Sequence, residues 1–249
     1  TTFEDPGEGW PLYLQFIRTL EPNEENFVIP FGPTAEQARA AIAATYGMIE
    51  FVDDGIGRVM STLGRLGIAD NTIVVFTSDH GDMMGDHGLV MKLGMHFEGC
   101  VRVPMLIDAP GKDPAGTSSL ASSIDLPSTI LDLCGIEEYR GMQGHSLTSI
   151  LDDPSASVRD HVLIEEDFPH SEFGPGPPLE IRTIISDLGR YTRDTDGHQQ
   201  LFDLSTDPDE LVDLTEHNRD PVRRVAMVEQ LTDAMIEADD LGLPQPMDD

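Results

Sequence analysis

Residues 77–92 read TSDHGDMMGDHGLVMK and hold the side chains best equipped for chemistry in this chain. Asp79 and His80 are adjacent, and a carboxylate oxygen and a neutral imidazole can bind one divalent ion between them. A second Asp-His pair follows at Asp86 and His87. Gly81, Gly85 and Gly88 let backbone approach a small ligand closely. Lys92 ends the stretch with a compact point charge suited to an oxyanion. Its residue type is itself informative, because only Lys92 and Lys112 of the 15 basic residues are lysine. Asp-His-Gly alone also serves as a plain turn; the lysine and the second Asp-His pair are what raise the stretch to a candidate site for a cation and an anion.

Elements that could position this stretch are legible on either side. Residues 72–77 (TIVVFT) form a short β-branched run after the turn residues Asp70 and Asn71, and are expected to be a strand buried on both faces. Open α/β sheets bind ligands at the carboxyl ends of such strands, where Asp79 and His80 would lie. Upstream, Thr34 with Gln37 makes a capping box, and Ile49, Val52, Ile56, Val59, Leu63 and Leu66 form an apolar stripe spaced by three or four, so a long helix is expected up to Gly67. Helix, turn and buried strand make half of a βαβ unit. Residues 78–99 are too long and glycine-rich for a plain connection. A second strand is expected at 105–107, a helix at 124–134 stopped by Gly135, and a helical turn at 147–151. Beyond residue 158 the texture changes to strands at 161–165, 181–186, 189–193 and 200–203 and a helix at 221–238. The first 33 residues, rich in Pro, Gly and acidic residues, read as an irregular loop. The expected organisation is therefore an α/β part over 1–157 and a small α+β lobe over 158–249, the lobe being an antiparallel sheet plus a helix.

Composition bounds the partners. The chain has 249 residues, 46 acidic against 15 basic, and a formal charge of −31. No basic stretch offers a footprint for nucleic acid, and no basic amphipathic helix suits an anionic membrane. A small molecule is the expected partner, and a homo-oligomer is compatible with the sequence. So large a charge costs self-repulsion unless salt screens it, which fits a halophilic source. Cys100 and Cys134 fit no metal-knuckle spacing and are expected as reduced, buried thiols. No signal peptide and no run of 18 apolar residues appears, so a cytoplasmic location is expected. The chain starts at Thr1 without Met, as a processed or excised piece would.

The whole pattern resembles the sulfatase family of the alkaline phosphatase superfamily. The resemblance is carried by residues 70–88 (DNTIVVFTSDHGDMMGDHG), then Lys92, Phe97 and Glu98, and VRVP at 101–104. Residues 46–58 (YGMIEFVDDGIGR) resemble the helix before that strand, 124–136 (IDLPSTILDLCGI) the helix after it, and 199–211 (QQLFDLSTDPDEL) the closing motif of the C-terminal lobe. It implies an alkaline-phosphatase-like mixed sheet flanked by helices, here truncated to its C-terminal portion, with the small antiparallel lobe following.

The resemblance also implies a chemistry. Asp79 and His80 would be two ligands of one divalent cation, calcium or manganese. Lys92 and His87 would be the catalytic side chains, Lys92 contacting the sulfuryl oxygens of a sulfate monoester and His87 lining the pocket, while His96 could reach the substrate. The family's nucleophile is a formylglycine made from Cys or Ser in a Cys/Ser-x-Pro-x-Arg motif, which this chain does not contain; the nucleophile and the remaining metal carboxylates are expected in sequence outside it. Asp5, Pro6 and Gly7 resemble an Asp-Pro-His segment with Gly7 in the place of a histidine that commonly assists the leaving group. Two alternatives stand beside a sulfate ester hydrolase: a phosphate or phosphonate ester hydrolase of the same superfamily, and a metal-binding or interaction protein without catalysis. The histidines at 145, 161, 170, 198 and 217 are expected as surface or packing residues, Met83, Met84, Met91 and Met95 as loop packing, and Arg182 in a surface salt bridge.

Overall fold

A computed structural model describes residues 11–19, 32–92, 94–168 and 179–238. Contacts gather into two units, Thr1–Pro110 and Gly111–Asp249. The change of texture near residue 158 falls inside the second of these.

In the first unit a helix stands where an irregular loop was expected. Helix α1 (Leu12–Thr19) starts at Pro11, whose carbonyl accepts from the N–H groups of Leu14 and Gln15. Leu14 and Ile17, three apart, are both buried. The pattern is only two turns long and sits among prolines and acidic residues, which hid it.

Helix α2 (Ala35–Leu66) has the expected ends. Thr34 Oγ1 accepts from the Gln37 N–H at 3.2 Å, and the Gln37 side chain returns the bond to the Thr34 N–H at 2.8 Å. At the other end Gly67 takes φ 66°, and Gly67 and Ile68 donate to Gly64 and Leu63 in a Schellman closure. The stripe departs from expectation. Ile56 and Leu63 are half-buried, but Ile49, Val52, Val59 and Leu66 remain exposed. Caps and 3.6-residue periodicity build a helix locally, whereas covering its stripe takes a partner layer; among the described residues α2 packs chiefly on the turn at Ala69–Asn71.

That turn leads into strand β1 (Val74–Thr77), which pairs antiparallel with β2 (Met105–Asp108) in the register Val74↔Asp108 to Thr77↔Met105. The strand expected to be buried on both faces is only half-buried. The cross-strand pair Phe76↔Leu106 is exposed on both sides of the ladder, because a strand is buried twice only between two covering layers.

The first unit also holds a short helix α3 (Glu98–Val101), and the second unit begins with helices α4 (Asp125–Leu133) and α5 (Thr148–Asp152). The wholly buried Asp125 receives a two-pronged contact from Arg159, and the N–H groups of Ser122 and His145 at 2.8 Å each. Strands β3 (His161–Phe168), β4 (Leu179–Ser186), β5 (Gly189–Asp194) and β6 (Gln199–Phe202) form an antiparallel meander in that order. Helix α6 (Pro221–Ala238) covers it, and Ile184, Tyr191 and Leu201 pack with Met227, Leu231 and Ala234. Arg190 is buried against the Glu210 carboxylate with its guanidinium over the Phe202 ring. Arg182 bridges Glu165 and Asp167 on the sheet, as expected of a salt-bridging arginine. Cys100 is buried, but Cys134 is exposed at the end of α4, where the helix presents its C-terminus to solvent instead of to apolar neighbours. Among the described residues no helix is long and apolar enough to cross a membrane.

Candidate active-site loop

The loop that follows β1 folds back on itself. Gly81 donates its N–H to the Cys100 carbonyl at 2.7 Å, joining the strand end to helix α3 (Glu98–Val101). A side chain has no room there, since a Cβ on Gly81 would lie 2.0 Å from the Gly99 carbonyl oxygen. Further out, Met83 donates to the Met91 carbonyl at 3.0 Å and Gly85 to the Leu89 carbonyl at 2.7 Å, so the two limbs of the loop run side by side. Met83, Leu89, Met95 and Phe97, all within this loop, are buried. Helix α2 reaches it through Thr45, whose hydroxyl lies 3.7 Å from the Met84 sulfur.

This doubling-back brings Lys92 to the strand end. Its Nζ meets His80 Nε2, and Asp79 Oδ2 lies 3.2 Å from the same nitrogen. The tautomer of His80 follows from its other contact: Nδ1 is 2.7 Å from the Gly81 carbonyl oxygen, which can only accept, so Nδ1 carries the proton. Nε2 is left with its lone pair, the arrangement a metal-binding histidine adopts when a backbone carbonyl fixes its ring. The backbone N–H of His80 donates to Asp79 Oδ1 at 3.0 Å and holds that carboxyl below its ordinary range, with the positive charge of Lys92 adding to the effect. Asp79 therefore stays ionised into acid. Two electron-pair donors thus converge, and a cationic group, the Lys92 ammonium, is what meets them.

The donor set fits a divalent ion. A carboxylate oxygen and an imidazole nitrogen 3.2 Å apart are donor types that divalent ions take, and close enough together to share one. Only two protein ligands come together, however. Among the described residues no group of three or more His, Cys, Asp or Glu could hold a metal.

Of the five residues singled out in the sequence, Asp79, His80 and Lys92 meet. His87 and His96 lie in the same loop, both buried. His87 takes φ 53°, and its ring stacks on Phe97 with centroids 4.2 Å apart. Residues 5–7, including Gly7, lie outside the described residues, as does His170. Asp82 was not singled out, although Asp in a glycine-rich turn commonly accepts nearby backbone N–H groups. Its Oδ1 accepts from Met84 at 3.0 Å and from Met91 at 2.9 Å.

Comparison with known proteins decides the family. Residues 19–136 match the family model described as Sulfatase, and residues 85–238 match N-sulphoglucosamine sulphohydrolase, C-terminal. The chain belongs to the sulfatase family. It is 34% identical to choline-sulfatase of Rhizobium meliloti over 200 residues, 79% of this chain and 37% of that protein. It is 32% identical to arylsulfatase K of Xenopus laevis over 196 residues, 76% of this chain and 36% of that protein. The chain thus spans little more than a third of the length of these sulfatases. Among solved structures, the phosphonate monoester hydrolase of Agrobacterium radiobacter superposes with a TM-score of 0.75 at 29% identity, over 84% of this chain and 44% of that one. The fold is the α/β, alkaline-phosphatase-like fold of the sulfatases.

Proposed function

We propose that this chain supplies the cation-holding and anion-holding part of a sulfuric ester hydrolase. The observation that carries the reading is the convergence of Asp79 Oδ2, the Nε2 lone pair of His80 and the Lys92 ammonium just past the carboxyl end of β1. Asp79 and His80 would hold one divalent cation, calcium or manganese, whose charge would offset the negative charge gathering on the ester oxygens. The Gly81 carbonyl keeps the His80 ring in the one tautomer that presents a lone pair. The Asp79 carboxylate remains ionised because the His80 N–H holds it so. Lys92 would leave His80 for a sulfuryl oxygen of the ester and align it by a charge-assisted hydrogen bond. His87, stacked on Phe97, would support the loop wall, and His96 would border the substrate. The family's formylglycine would attack from sequence outside this chain.

A phosphonate or phosphate ester is the second reading, favoured by the superposition on a phosphonate monoester hydrolase. Tetrahedral phosphoryl oxygens would take the same three groups.

Calorimetric titration of the 249-residue chain with Ca2+ or Mn2+ tests the cation part. One site is expected, lost in Asp79→Ala and in His80→Ala; equal heats in all three proteins refute it. In a polypeptide carrying both this chain and the nucleophile, turnover of an aryl sulfate should exceed that of a phenylphosphonate ester, and Lys92→Ala should remove most of it. The reverse preference selects the second reading, and turnover unaffected by Lys92→Ala rejects both.

A further inference from the structure

We propose that Asp82 is a positioning residue, whose carboxylate holds the Met91 backbone in a left-handed conformation and thereby aims Lys92 at His80. The proposal rests on the reading of Lys92 as the residue that meets the substrate's oxygens.

Met84 and Met91 both have positive φ, 49° and 71°. A long side chain disfavours that region, because its Cβ crowds the following carbonyl oxygen. Such conformations persist only where surrounding contacts impose them. At both residues the imposing contact is the same atom. Asp82 Oδ1 accepts from the Met84 N–H at 3.0 Å and the Met91 N–H at 2.9 Å, and hydrogen bonds to an ionised acceptor are the strong kind. The peptide groups around Met91 are gripped on both sides, since its carbonyl accepts from Met83 N–H at 3.0 Å and lies 3.7 Å from Cys100 Sγ.

The consequence falls on the next residue. The dihedrals of Met91 set the direction from which the Lys92 side chain starts, and that chain must reach back across the loop to meet His80 Nε2. Without the carboxylate, Met84 and Met91 would relax toward negative φ, the two limbs would separate, and the ammonium would leave the strand end. Asp82 need touch neither cation nor ester to matter.

The two lysines make this measurable without catalysis. In the 249-residue chain labelled with 13C-lysine, the ε-carbon spectrum holds Lys92 and Lys112 alone. Lys112 pairs with Asp152 in the second unit and serves as internal reference. Lys92, assigned by Lys92→Arg, should be displaced from the shift of a free lysine. Asp82→Ala should move it to the free-lysine shift and leave Lys112 in place. Asp82→Asn keeps an acceptor oxygen in the same position and should retain the wild-type shift. Asp82→Ser, whose shorter side chain cannot reach both N–H groups, should lose it, and decides the matter if the alanine variant does not fold. An unmoved Lys92 signal in a folded alanine or serine variant overturns the proposal, as does equal loss in Asp82→Asn. Titration with inorganic sulfate separates this from the functional reading. If wild-type Lys92 responds, Asp82→Ala should weaken the response roughly three- to tenfold, the cost of ordering one long side chain anew. If wild-type Lys92 is silent to sulfate, the functional reading fails, while the sulfate-free spectra still judge Asp82.

Discussion

Gly81→Ala would test the junction between the strand end and helix α3 at its narrowest point. A Cβ there would lie 2.0 Å from the Gly99 carbonyl oxygen and 3.3 Å from the Cys100 Cα. Carbon and carbonyl oxygen normally keep about 3.3 Å or more, so the two segments must part by over about 1 Å. Both obstacles are backbone, which cannot swing aside as a side chain end would. Parting them breaks the 2.7 Å bond from Gly81 N–H to the Cys100 carbonyl, a net loss of about 0.5–1.5 kcal/mol, and strains a packed contact by about 1–3 kcal/mol. The expected destabilisation is about 2–4 kcal/mol, read as a fall in the urea midpoint followed by circular dichroism. Gly57→Ala is the matched control. Nothing lies within 4 Å of its added Cβ in the middle of α2, so it should stabilise by about 0.5–1 kcal/mol. Because Gly81 also carries the carbonyl that orients His80, the alanine variant should lose the calorimetric cation site as well. A Gly81→Ala protein within about 0.5 kcal/mol of wild type that still binds Ca2+ would refute the described junction.

Other outcomes follow from the same physics. Arg159→Ala leaves the wholly buried Asp125 carboxylate without its guanidinium and should cost about 3–5 kcal/mol by denaturant titration, against about zero for the exposed Arg140→Ala. With a formal charge of −31, the melting temperature should climb steadily as KCl is raised from about 0.1 M to about 2 M, where the Debye length shrinks below the spacing of surface charges; a flat or falling curve would remove the halophilic reading. The Asp203 carboxyl is held down to about 2, first by the Ser205 hydroxyl and also by Arg223. A depressed carboxyl stabilises the fold above its unfolded value and loses that contribution as pH falls through about 2, so Ser205→Ala should be less stable than wild type at neutral pH and the gap should close toward pH 2.

Much of this molecule is legible in the order of its residues, and the parts that are not share a cause. Thr34, Gln37 and Gly67 mark the ends of α2 because caps are made by residues within one turn of the helix end. The meander of β3 to β6 and the span of α6 are likewise local patterns of alternation, turn and period. Helix α1 was missed because two turns carry little periodicity. The exposure of Ile49, Val52, Val59 and Leu66 was not foreseeable, since a stripe states what a helix could bury and says nothing of what covers it. The half-burial of β1 and the exposure of Cys134 have the same origin.

The site divides along the same line. Asp79, His80 and Lys92 could be named from residue type and spacing, since adjacent Asp and His at a strand end and a rare lysine in a glycine-rich loop are chemical statements in themselves. Tertiary structure alone decided that the lysine returns to the histidine, that Gly81 fixes which imidazole nitrogen keeps its lone pair, that the His87 ring stacks on Phe97, and that Asp82 grips the loop from within. The identity of a donor atom is written in its residue; the point in space where two donors meet depends on every dihedral between them, and in this loop Met84, His87 and Met91 all take dihedrals that their side chains do not favour.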